Sequence, residues 1–170
     1  MSKIAAAVLA CVAFAAFSIP MSAQLIPNGN LYAGVSYGQL TNVVNTQSYR
    51  GWNGSAEFIP LARYRHFGVV LDGSGFYRSG ITQYNGFGGL RVATNMGRWR
   101  PFVHGLGGIR HINSSGIINN PIAYDIGGGA DYKLPFKNFS WRVQADYMHS
   151  HYLSATQNDY RASTGIVWRF

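Results

Sequence analysis

The residues best able to do chemistry are few. His149 and His151 stand two apart in the run Tyr147-Met-His-Ser-His-Tyr152, so an extended backbone points both the same way. Joined by His111 they could hold a metal, but no carboxylate or cysteine completes the donor set, and no metal is expected. His66 and His104 are the other two histidines. His149, Ser150, Ser154 and Asp159 supply the residue types of a serine nucleophile, its base and the acid that orients the base. Three glycine clusters (Gly86, Gly88, Gly89; Gly105, Gly107, Gly108; Gly127, Gly128, Gly129) resemble phosphate loops only superficially. None precedes a helix, and none carries a Lys-Ser/Thr ending or a full dinucleotide fingerprint, so no cofactor is expected. In a strand such glycines permit curvature or make room for a large neighbouring ring.

These groups must be positioned by a chain of 170 residues that is 47% hydrophobic, 15% aromatic and only 12% charged. Cytosolic domains carry roughly a quarter charged residues, so an ordinary soluble enzyme is disfavoured. The aromatic content argues against disorder. A single cysteine, Cys11, excludes a disulfide scaffold. Lys3, an apolar run over 4–19 and the small-residue stretch Pro20, Met21, Ser22, Ala23 have the layout of a signal peptide, residues 1–23, before one domain over 24–170. The apolar run falls short of the ~20 residues a spanning helix needs. Val8-Leu9-Ala10-Cys11 is a loose lipobox, but cleavage there would leave the apolar stretch 12–19 on the mature chain, so cleavage after Ala23 is expected. The net charge of +8 is spread among Arg63, Arg65, Arg98, Arg100 and Lys137 without a recognition module, so nucleic acid is not an expected partner. Lipid phosphates, reached by Arg50 and Arg78, are a milder match.

Beyond the leader the apolar pattern has a period of two, punctuated by Gly, Asn and Pro, and predicts eight strands near 31–39, 51–59, 67–77, 83–94, 100–110, 122–133, 139–149 and 160–170. Phe139, Trp141, Val143, Ala145 and Tyr147 share one face, while Ser140, Arg142, Gln144, Asp146 and Met148 share the other. Tyr160, Ile166, Trp168 and Phe170 alternate likewise with Arg161, Ser163, Val167 and Arg169. Five of the six acids fall on the polar strand faces, with Asp159 left to a loop. Aromatics gather in two sets: Trp99, Phe102, Phe136, Phe139, Trp168 and Phe170 towards short turns, and Tyr37, Tyr49, Trp52, Tyr77, Tyr84, Tyr147 and Tyr160 towards longer polar links at 40–50, 111–121 and 150–159. This predicts an all-β, eight-stranded antiparallel up-and-down transmembrane barrel, apolar face to lipid and polar face inward, with two aromatic girdles and no polar tail after Phe170. A secreted lipocalin-like barrel binding an apolar ligand is the alternative, with its faces reversed.

The sequence resembles the small eight-stranded outer-membrane β-barrels of Gram-negative bacteria, the porin-like group that includes outer-membrane protein A-type transmembrane domains. The resemblance spans nearly all of 24–170. Its most specific part is the last strand, Tyr160-Arg-Ala-Ser-Thr-Gly-Ile-Val-Trp-Arg-Phe170; Ile126-Gly-Gly-Gly-Ala-Asp-Tyr132 followed by Trp141-Arg-Val-Gln-Ala-Asp-Tyr147 is similar to the penultimate hairpin. The resemblance implies location in the outer membrane and makes Tyr160, Ile166, Trp168 and Phe170 the signal read by the assembly machinery. It does not imply one activity. Some such barrels modify lipid A, but residue 153 is Leu where a His-x-Ser element after His151 is required, so no enzyme is expected.

A barrel of this size has an interior just wide enough for side chains. A closed polar lumen rather than a wide pore is expected, and its charges require partners. Register proposes Asp72 with Arg91, joined by Glu57; Arg110 with Asp125; Asp131 with Arg142; and Asp146 with Arg161. The expected role is structural, anchoring or surface-interacting, for a monomer in contact with outer-membrane lipids that meets any surface partner through its outer loops.

Overall fold

The computed structural model describes residues 28–41, 46–59, 66–78, 81–114, 117–152 and 155–170. The expected leader, with Cys11 and the cleavage point after Ala23, lies outside the described residues. The strands are β1 (Gly29–Thr41), β2 (Thr46–Phe58), β3 (Phe67–Arg78), β4 (Ile81–Ala93), β5 (Trp99–Ser114), β6 (Ile117–Asn119), β7 (Ile122–Lys133), β8 (Phe139–Tyr152) and β9 (Ala155–Arg169). Each strand is antiparallel to its neighbours. β6 folds back on the end of β5, and the other eight close into a ring through β4–β5 and β1–β9. Gly29 and Phe170 exchange two backbone hydrogen bonds of 3.1 Å where the ring shuts. Closure gives each of the eight ring strands a partner on both sides, so the wall satisfies its own backbone without water. No helix among the described residues is long and apolar enough to cross a membrane.

The period of two turns every second side chain outward. Trp141, Val143 and Ile166 are 43%, 44% and 45% exposed, whereas Arg142 and Asp146 are 0% and 4% exposed. This orientation is opposite to that of a soluble lipocalin-like barrel. The interior is not wholly polar, however. Tyr49, Val70, Phe76, Phe87, Leu106, Ala123 and Met148 form a buried apolar cluster inside it.

Two residues expected in the girdles are therefore corrected. Tyr49 shares its parity along β2 with Asn53, Ser55 and Glu57, and Phe102 shares its parity along β5 with His104 and Arg110, so both turn inward. The other girdle aromatics reach the outer surface. Trp99, Phe136, Phe139, Trp168 and Phe170 are exposed at the end holding both strand termini, and Tyr37, Trp52, Tyr77 and Tyr160 towards the far end. Their polar atoms find lateral partners, as an apolar surrounding requires. Trp52 Nε1 donates to Tyr77 Oη at 3.1 Å, and Trp141 Nε1 donates to Thr164 Oγ1 at 2.8 Å.

The expected long loops also need correction. Nearly all the described residues of 40–50, 111–121 and 150–159 are strand, with Asn120 and Pro121 between β6 and β7 the exceptions; 42–45, 115–116 and 153–154 lie outside the described residues. Strand pairing is made by backbone, and Thr suits it well, so polar composition alone misplaces the strand ends. Asp159, expected in a loop, is in β9 and faces inward. At the opposite end, Gly97 (φ 65°) and Asn138 (φ 69°) take the left-handed conformation in the β4–β5 and β7–β8 turns, which Gly and Asn adopt most readily.

Val143→Arg puts a charge on the outward apolar face. It should destabilise the barrel by about 2–4 kcal/mol in phospholipid vesicles if this position sits near the bilayer midplane, measured by reversible urea unfolding. An unchanged stability would contradict contact with hydrocarbon.

Candidate functional site

All six side-chain carboxylates lie inside the barrel: Glu57, Asp72, Asp125, Asp131, Asp146 and Asp159. At the terminal end Glu57 accepts from Arg91 at 3.0 Å, Arg100 at 3.3 Å and Asn30 at 2.7 Å. Asp131 receives a two-pronged contact from Arg142 (2.6 and 3.0 Å) and a third from Arg169 at 3.1 Å. Paired donors on a planar guanidinium suit a carboxylate better than a single point charge does. The ring of Phe102 lies between Arg91 and Arg142, 4.3 and 4.6 Å from their guanidinium carbons. That supplies cation–π attraction where two like charges approach.

Arg161 organises the middle of the lumen. It donates to Asp146 at 2.6 Å, Asp72 at 2.9 Å and Asp125 at 3.0 Å, and is itself 1% exposed. His104 Nε2 lies 3.2 Å from Asp146 Oδ1 and 3.8 Å from Asp125 Oδ1. Neither ring nitrogen of His104 makes a hydrogen bond, nor does Asp125 Oδ1. Towards the far end Arg110 pairs with Asp159 and donates to Ser150 at 3.0 Å, while Gln157 donates to Asp159 at 3.1 Å.

Two of the expected pairings are replaced. Asp72 is engaged by Arg161 rather than Arg91, and Arg110 by Asp159 rather than Asp125. Arg142 meets Asp131 and Arg161 meets Asp146, each pair directly opposite in register. Arg91 takes Glu57 alone of the two acids proposed for it. Sequence reasoning also passed over His104, Arg100 and Arg169. The signal was present, since Arg100 and His104 share the inward parity of Arg110 along β5, but the glycines of that strand obscured its two faces.

Glycine explains why partners can skip a strand. His104, Gly127, Asp146 and Arg161 form one row across β5, β7, β8 and β9. With strands ~4.8 Å apart, His104 and Asp146 start ~10 Å apart at the backbone. They meet because Gly127 between them has no side chain: a Cβ there would collide with Asp146 Oδ1 and stand 2.8 Å from His104 Nε2. Gly68 does the same between Glu57 and Arg91, since a Cβ on it would lie 2.8 Å from Glu57 Oε1.

Among the described residues the serine–histidine–acid set does not assemble. Ser150 is inward on Arg110, whereas His149, of opposite parity in β8, bonds Asn158 at 2.8 Å; Asp159 is taken by Arg110. His111 bonds Asn120 at 2.7 Å. The side chains of His151 and Ser154 are outside the described residues. Tyr160, Ile166, Trp168 and Phe170 line the outer face of β9, with Trp168 and Phe170 rings 5.4 Å apart.

A closed eight-stranded wall, apolar outside and salt-bridged within, is the fold of the small outer-membrane β-barrels. The chain is similar to the crystal structure of Neisserial surface protein A (TM-score 0.69, 10% identity, covering 84% of this chain and 97% of that one). It is similar also to the attachment invasion locus protein Ail of Yersinia pestis (0.54, 15%, 84% and 98%). A third likeness is to the N-terminal β-barrel domain of Pseudomonas aeruginosa OprF (0.54, 15%, 82% and 97%). No protein-family model and no curated protein matches the sequence.

Arg161→Met leaves three buried carboxylates without their shared cation. The variant should lose at least about 3 kcal/mol of stability, since breaking a buried ion pair costs ~3–5 kcal/mol. Replacing Asp131 and Arg142 together by Leu and Met should cost less than either single change, because only Arg169, whose side chain is partly exposed, then loses its acid. Urea denaturation of the refolded barrels measures both.

Proposed function

We propose that this protein is an integral outer-membrane β-barrel with a structural, anchoring or surface-interaction role, acting without enzymatic chemistry or a cofactor. The observation that carries the reading is the inversion of sides: every carboxylate is inside, while Trp141, Val143, Ile166 and their neighbours face outward. Such a molecule is stable where its outer wall meets hydrocarbon and its girdle rings meet headgroups. The lumen is closed by its own side chains rather than open as a wide pore, which the inward arginines and the apolar cluster around Phe76 and Phe87 support.

In this reading residues 1–23 export the chain and are removed, and the outward edge of the last strand (Tyr160, Ile166, Trp168, Phe170) is read by the outer-membrane assembly machinery. The barrel stands as a monomer among outer-membrane lipids. Any surface partner meets the hairpin tips within 40–50, 111–121 and 150–159, since recognition concentrates on the connections of a rigid scaffold.

Fractionation should recover the chain in the outer membrane with Gln24 as its first residue and a heat-dependent gel mobility. Surface protease should cut only at those hairpin tips. Soluble monomer recovered without detergent would overturn the reading. Phe170→Ser should reduce the heat-modifiable band several-fold at equal synthesis, and an unchanged band would remove the assembly role from this residue.

A further inference from the structure

We propose that His104, Asp125 and Asp146 form a binding site for one divalent transition-metal ion, with zinc the best match. One ligand atom from each lies within 4.8 Å of the other two. His104 Nε2 stands 3.2 and 3.8 Å from the two carboxylate oxygens, yet hydrogen-bonds to neither. Its lone pair is therefore aimed beside these oxygens. A hydrogen bond needs the acceptor on the N–H axis, whereas a metal needs the donors arranged around a shared point. With Zn–N and Zn–O distances of ~2.0–2.2 Å, tetrahedral donors stand ~3.4 Å apart, so loading closes the widest of these separations, at most 4.8 Å, by up to about 1.4 Å.

The charge count points the same way. Asp72, Asp125 and Asp146 share one guanidinium, that of Arg161, which leaves the centre of the lumen with two negative charges in excess when His104 is neutral. Protonating His104 offsets one of them; a divalent cation offsets both. At the terminal end Arg91, Arg100, Arg142 and Arg169 outnumber Glu57 and Asp131, but those cations are held to their own acids.

The surroundings orient the donors. Arg161 holds Oδ2 of both Asp125 and Asp146, leaving each Oδ1 turned to His104, and Gln144 donates to both oxygens of Asp146, at 2.9 Å to Oδ2 and 3.1 Å to Oδ1. Hydrogen bonds on the far oxygens of ligating carboxylates are a regular feature of metal sites. Gly127 forms the floor, and no other residue type leaves the flank of these atoms open. One imidazole with two carboxylates suits zinc better than calcium or magnesium, which take oxygen donors in larger number. Three protein donors leave a fourth position for water.

The test uses the full mature chain refolded with a chelator, then with zinc supplied either during or after refolding, in competition with a chromophoric chelator. One zinc per chain is expected, and it should survive replacement of His111, His149 and His151 by Gln. Asp125→Asn and His104→Gln should each weaken binding more than tenfold, with folding judged by heat-dependent gel mobility. If those variants do not fold, the wild-type chain still decides: zinc should shift the ring-nitrogen resonance of His104. A folded wild-type chain that takes up no zinc in tenfold excess overturns the proposal, as does binding unchanged in both variants. So does a His104 resonance that moves with pH and not with zinc.

Discussion

An eight-stranded wall has space inside for side chains and little else, so an ionised group turned inward must be neutralised by another inward group. That constraint organises this barrel. Its six side-chain carboxylates and the arginines that meet them form a lattice of four groups inside the barrel, three of which hold more than one ion pair. Arg161 joins three acids from three strands, and Asp131 and Glu57 each collect more than one guanidinium. Apart from Asp131–Arg142 and Asp146–Arg161, which sit on paired strands, each arginine ion pair bridges strands that the backbone ladder does not couple. The lattice therefore specifies one closed arrangement, and a missing member strands a charge in a poorly solvated place.

The glycines are the counterpart of this lattice. A closed sheet with a large side chain at every inward position would overfill its lumen. Gly127 and Gly68 withdraw side chains where His104 must meet Asp146 and where Arg91 must meet Glu57. The vacancy sets which strands communicate: partners two strands apart become neighbours over the glycine. Gly127, from a cluster that in sequence superficially resembles a phosphate loop, is spacing for charges.

Along the axis the interior changes character. The terminal end holds more arginines than acids, the centre holds more acids than arginines, and the cluster around Phe76, Phe87 and Met148 adds an apolar section. The central acid excess singles out His104, a buried base without a hydrogen bond, as the place where a further cation is electrostatically favoured. The outer wall is largely apolar between its aromatic rims, and the indole donors of Trp52 and Trp141 are satisfied sideways.

Strand existence, the two faces of β8 and β9 and the inward direction of five acids could be read from the sequence because alternation is a local property with a period of two. Asp131–Arg142 and Asp146–Arg161 were legible for a related reason, as they stand opposite each other in consecutive hairpins. Parity also contained the inward turn of Tyr49 and Phe102, though polar composition hid the true strand ends and with them the place of Asp159. Arg161 with Asp72, 89 positions away, and Arg110 with Asp159, 49 away, were decided only by tertiary structure. Those contacts exist because the ring closes and brings non-adjacent strands face to face across the lumen, and no local pattern records which inward residues then share a level.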